Sequence, residues 1–169
     1  MINQTTMNPN NIQEEDYGQL QLQHEQAFGE HSGISNHARE KINNIKRNEY
    51  CSDFELYSRD ATNFTDLAWK LLGRYIANNT HLLSVDLDNI GLSDVMTSAL
   101  FRALTGSISI RKMVLGNSED YDDHWGSGQF DAPGVNLNQF GIDGVRAMVS
   151  FLKNSPKLTT IMVNGNVNF

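Results

Sequence analysis

The densest group of side chains able to do chemistry lies in SEDYDDHWGSGQFDAPGVNL, residues 118–137, with five acidic residues, no Lys or Arg, and the aromatics Tyr121, Trp125 and Phe130. Asp120, Asp122, Asp123 and His124 offer carboxylate oxygens and an imidazole nitrogen, donors that a divalent cation accepts. A calcium loop, however, requires Gly at its sixth position and a bidentate Glu at its twelfth, and neither stands here. Gly126 and Gly128 lack the Gly-Lys-Ser/Thr of a phosphate loop, and the neighbouring carboxylates would repel phosphate. The segment is expected to be an acidic loop with an aromatic anchor, offering Tyr121, Asp122, Asp123 and Trp125 to a partner and holding no metal.

Nucleophilic catalysis has as little support. Cys51 is the only cysteine and has no obvious base beside it. His24, His31 and His37 fall in or next to an N-terminal tail, and His81 and His124 sit in no nucleophile motif. A lone cysteine also excludes an internal disulfide and a Cys-rich zinc site. Neither enzyme activity nor a cofactor is expected. With 13 basic against 20 acidic residues and a formal net charge of −7, the chain lacks the dense basic surface that nucleic acid requires. No apolar run reaches the roughly 18–20 residues of a membrane span, and MINQTTMNPNNIQEEDYG has neither the basic start nor the apolar stretch of a signal peptide. The expectation is a soluble protein of the cytoplasm or nucleus, with no membrane or nucleic-acid partner. The N-x-S/T sequences at Asn3, Asn63 and Asn78 then carry no sugar.

The elements that must position any working residue emerge from LLSVDLDNIGLSDVMTSALFRAL, residues 82–104. Leu82, Val85 and Leu87 follow L-x-x-L-x-L, a short strand whose positions 4 and 6 point inward because side chains alternate across a strand. Leu92, Met96, Leu100 and Leu104 then recur every four residues along one helix face, and Ser93 can cap that helix. Counting back 28 residues puts Phe54, Tyr57, Phe64, Ala68, Leu72 and Ile76 on the same template, with Arg59 poor at position 6. Counting forward reaches Ile110, Met113 and Leu115. A last unit begins at Leu158, with Ile161 and Val163 inward. Before it, Asn138, Phe140, Gly144, Met148 and Leu152 keep the phase, so the third unit carries an insertion at about 118–137. Self-similarity on one period identifies a repeat architecture. Gly144, at a helical position, is expected to pack closely against the strand layer.

These residues, and NQFGIDGVRAMVSFLKNSPKLTTIMVNGN, resemble leucine-rich repeats of the long, ribonuclease-inhibitor-like type, over about 54–169. The resemblance implies an α/β fold: a right-handed solenoid with short parallel strands on the concave face and helices on the convex face. Ile90 departs from it at position 9, where an Asn or Cys usually satisfies the backbone of the turn. Residues 1–35, rich in Asn, Gln and Glu, are expected to be a disordered tail. Residues 36–53 would form a capping helix and lead-in. The sequence stops at NGNVNF, just after a repeat strand. A bare end exposes apolar surface and a strand edge. The expectation is the N-terminal part of a longer array, or an end covered by a second copy.

Function then falls to the outward positions 3, 5 and 7 of the concave sheet. On this template they are Leu56, Ser58 and Asp60; Ser84, Asp86 and Asp88; Lys112, Val114 and Gly116; and Thr160, Met162 and Asn164. The chain is expected to bind another protein through these residues and the insertion loop, with a possible second contact between copies at the C-terminal end. Long repeats of this type also resemble GTPase-activating proteins, so regulation of a nucleotide hydrolase is the alternative, although no motif residue carries that role.

Overall fold

The computed structural model describes residues 9–88, 90–116 and 138–163, with side chains from Gly18 onward. Four three-residue strands, β1 (Asp53–Glu55), β2 (Ser84–Asp86), β3 (Lys112–Val114) and β4 (Thr160–Met162), form one parallel sheet in sequence order. Phe54 pairs with Val85, Val85 with Met113, and Met113 with Ile161. Three long helices connect them: α4 (Asp66–Asn78), α5 (Asp94–Leu104) and α6 (Ile142–Lys153), with α5 packed between the other two. The short α3 (Ser58–Ala61) precedes α4. The result is an α/β fold of leucine-rich-repeat-like connectivity.

Position 4 (Phe54, Val85, Met113) and position 6 (Leu56, Leu87, Leu115) are buried in one core with Leu72, Leu100 and Phe151 from the helices. Phe101 and Phe151 meet at 5.4 Å across the α5–α6 seam. Helix starts are fixed by side chains whose oxygens accept the otherwise orphaned first-turn N–H groups. Ser93 Oγ accepts from Met96 N at 3.3 Å, and Thr65 Oγ1 accepts from Ala68 N at 3.2 Å. In α6 the N-cap is Gly141, with no side chain to give, and the neighbouring helix supplies the acceptor: Gly144 N donates to Asp94 Oδ1 at 2.6 Å. A Cβ on Gly144 would lie 2.8 Å from that oxygen and 2.9 Å from Thr97 Cγ2. The close approach is therefore to α5, which corrects the expectation of packing against the strands.

The first repeat is also corrected. Phe54 stands 31 residues before Val85 in the register, whereas the helix caps Thr65 and Ser93 are 28 apart. The three additional residues lie between strand and helix, where α3 forms. Position 6 of the first unit is thus Leu56 and its outward positions are Asp53, Glu55 and Tyr57. Leu56 is buried and Asp60 lies inside α3, buried as well.

Ahead of the sheet, α1 (Pro9–Phe28) and α2 (Asn36–Lys46) pack on α4, and a 3-10 turn at Glu30–Ser32 between them packs on α1. Disorder up to residue 35 is corrected over this segment. His24, Ala27 and Phe28 share one buried helix face, Phe28 lies 5.8 Å edge-on to Phe64, and Ile34 is buried. Burying a Phe and an Ile offsets the ordering entropy that the polar composition alone could not. Ser35 caps α2, one residue before the expected start, accepting from Ala38 N at 3.1 Å and donating to Asp60 Oδ1 at 2.7 Å. Ala38, Ile42 and Ile45 are the buried face of α2.

Candidate partner-binding face

The sheet face away from the helices carries the outward side chains in rows, about 4.8 Å apart from strand to strand. One row is Asp53, Ser84, Lys112 and Thr160, and the next is Glu55, Asp86, Val114 and Met162. Along the second row the chemistry changes, from carboxylates on β1 and β2 to Val114 and Met162 on β3 and β4, while the first row puts Lys112 and Thr160 on those two strands. Of the expected partner-binding residues, the structure brings together Ser84, Asp86, Asp88, Lys112, Thr160 and Met162. Val114 holds its outward position in the strand but is only 1% exposed and stands outside the core cluster. Leu56, Ser58 and Asp60 do not belong to the face, for the register reason above. Asp60 Oδ2 accepts from Tyr57 N at 3.3 Å and Oδ1 from Ser35, so this carboxylate joins the strand end to α2. Asn164 and the loop residues Tyr121, Asp122, Asp123 and Trp125 lie outside the described residues.

Asp86 sits opposite Glu55 in the register and is half-buried. Burial pushes its carboxyl above the ordinary value of 3.8, and Glu55 adds to the rise. The Asp88 N–H, donating to Asp86 Oδ1 at 3.0 Å, and the Lys112 charge oppose it. A carboxylate held this way is short of solvation and gains from an incoming cation.

The register shift also adds a residue that a fixed period missed. Tyr57 is 39% exposed at the rim of the face. Its hydroxyl donates to Glu55 Oε2 at 2.9 Å, and Lys41 Nζ and Arg59 Cζ each lie 5.4 Å from its ring centroid. Lys41 in turn donates to the Glu55 carbonyl at 2.8 Å, locking α2 to β1. The signal was present in the sequence as CSDFEL, where Cys51, Phe54 and Leu56 repeat the spacing of Leu82, Val85 and Leu87.

Asn138 is the position-9 residue that shapes the turns below this face. Its Nδ2 donates to the Leu87 and Leu115 carbonyls at 2.9 and 2.7 Å, and its Oδ1 accepts from Leu92 N at 2.9 Å. The second unit has Ile90 at its own position 9, so the third unit's side chain supplies the missing backbone partners. Beyond the carboxyl ends of the strands lies an open depression of about 430 Å³, lined by Ser58, Thr62, Trp69, Ser93, Met96 and Gln139 among others. Among the described residues none of its lining side chains is charged.

No protein-family model and no curated protein matches the sequence. Among solved structures, one titled "Leiomodin-1 Actin-Binding Site 2 (ABS2)" is similar at a TM-score of 0.51 and 15% identity, over 78% of this chain and 68% of that one. At that identity the likeness concerns the fold, and it agrees with the leucine-rich-repeat-like arrangement. Among the described residues no helix is long and apolar enough to cross a membrane.

Proposed function

We propose that this protein is a leucine-rich-repeat module of the ribonuclease-inhibitor-like type. In this reading its sheet face is the concave side of a solenoid and binds another protein, without catalysis. The row Glu55, Asp86, Val114, Met162 carries the reading. It places two carboxylates on rigid strands, with Tyr57 at the rim; beyond them Met162 is the apolar side chain of the row that reaches solvent, Val114 between them being buried. Such a face fits an extended or helical segment presenting Lys or Arg towards β1 and β2 and an aliphatic residue towards β3 and β4. Aromatic anchors and desolvated charges dominate interface energetics, so Tyr57 and Asp86 would contribute most. A solved structure of similar fold is titled as an actin-binding site, which makes actin the first partner to test.

A photo-activatable residue at Thr160, on the face, is compared with one at Arg102, on an exposed helix position, first with actin and then in cell extract. Adducts should form from position 160 and not from 102, and Glu55→Lys with Asp86→Lys should weaken them about tenfold or more, ~1.4 kcal/mol. Adducts from position 102 alone, or adducts indifferent to both charge reversals, would remove the sheet face from the reading.

A further inference from the structure

The C-terminal flank of the array carries a second surface. On α6, Val145, Val149 and Leu152 are 37%, 42% and 38% exposed on one helical stripe, and Ile142 at its start is 69% exposed. The repeat itself says what such a stripe receives. The cap positions Thr65, Ser93 and Gly141 superpose the helices. On that basis Val145, Val149 and Leu152 correspond to Thr97, Phe101 and Leu104 of α5. Those three are fully buried, on the helix that α6 packs against. The equivalent stripe of α4, which includes Trp69 and Ile76, is buried in turn, on the helix that packs α5.

The strand edge has the same continuity. Leu87 N donates to Val114 O and Leu115 N to Met162 O, while Arg111 N donates to Leu83 O and Thr159 N to Arg111 O. The corresponding groups at the outer edge of β4 are the Val163 N–H and the Thr159 carbonyl. Arg146 and Lys153, both exposed, border the apolar stripe on one side.

We propose that the α6–β4 flank docks a further helix–strand unit of the same repeat kind. Its helix would lie along Val145, Val149 and Leu152, with acidic residues facing Arg146 and Lys153. Its strand would add in parallel to β4 through Thr159 and Val163. A second copy of this chain fits less well: its N-terminal flank is covered by α1 and α2, and pairing α6 with itself would line one seam with the basic residues of both copies. This inference does not rest on the sheet-face reading.

The chain's own Asn138–Val163 segment is a suitable probe, because its helix already packs on the Thr97, Phe101 and Leu104 stripe. A duplicate of residues 138–163 is joined after Gly165, so that its Asn138 takes the position-9 place of the new unit, and thermal unfolding is compared with the parent chain. Tethering keeps the duplicate at millimolar effective concentration. Docking should raise the melting temperature by about 5–10 °C, and Val149→Lys should cancel the rise while leaving the parent's own melting unchanged. No rise, or a rise indifferent to Val149→Lys, overturns the proposal. So does sedimentation showing the unextended chain as a dimer that Val149→Lys dissolves, since a second copy would then be the occupant.

Discussion

Asn138 couples two turns through three hydrogen bonds. Asn138→Ala would remove the side-chain partner of the Leu87 carbonyl and the Leu92 N–H and one bond to the Leu115 carbonyl, and a buried group left unsatisfied costs ~1–3 kcal/mol. Stability is expected to fall by about 3 kcal/mol, read as a melting temperature lower by roughly 8 °C. A loss under ~0.5 kcal/mol would mean that water replaces the amide without cost. Asp86 tests a different balance. Its folded pKa is raised, chiefly by burial, so the ionised form is disfavoured in the fold and folding is relatively more stable below the unfolded pKa. Asp86→Asn keeps an acceptor for the Asp88 N–H and removes the charge. It should therefore raise the melting temperature at pH 7 and leave it unchanged at pH 3. A melting temperature at pH 7 equal to the parent's would show that Lys112 and the Asp88 N–H fully offset the desolvation.

Among the elements, α1 is held by a titratable contact. His24 Nδ1 and the Tyr75 hydroxyl are 3.1 Å apart in a buried cluster with Phe28. Burial pushes Tyr75 up to about 12, so it stays neutral. Burial, and then the Lys46 charge, lower His24 below 6.5, against an opposing pull from Glu25 and a bond with Asn43. A depressed histidine gives stability that is present above pH 6.5 and lost as the pH falls through its folded value. Amide exchange at residues 24–34, corrected for intrinsic rates, should accelerate between pH 7 and pH 5, and His24→Gln should flatten that dependence. The same acceleration in the Gln variant would assign the opening to another group. This helix was not legible in the sequence because its apolar residues are few: among its described residues His24, Ala27 and Phe28 are buried and Leu20 is partly buried beside them. The strands β2, β3 and β4 and the helices α5 and α6 were legible, because each repeats one apolar spacing at a fixed period. The first strand was misplaced by three residues because the period was held rigid where the loop lengthens. Arg59 at an inward position was the warning, and Leu56 the residue that resolves it.

For the whole molecule, sequential strand order means that each unit is supported mainly by its neighbours. The N-terminal cover is then a condition for the rest. Removing residues 1–34 strips Phe28 from Phe64 and Tyr75 and takes Ile34 out of the core while keeping the Ser35 cap. Loss of one buried Phe alone costs about 3–5 kcal/mol. The urea midpoint should drop sharply, without a new intermediate if the array unfolds as one unit. A midpoint unchanged from the full chain would mean that α2 suffices as the cover. The candidate face is preserved or lost with this cover, since Lys41 of α2 bonds the Glu55 carbonyl and lies against Tyr57.

The spatial order of the strands is also the order in which a ribosome would release them. Because α1 and α2 emerge first and pack mainly on α4, the lid closes when α4 arrives, and each later unit then meets a finished surface instead of waiting for a distant partner. The second turn is the exception. Asn138 must appear before the second turn's Leu87 carbonyl and Leu92 N–H are satisfied, so translation would pass through the whole 118–137 stretch with that turn incomplete. Slow codons or a nascent-chain chaperone would have their largest effect on yield over that interval.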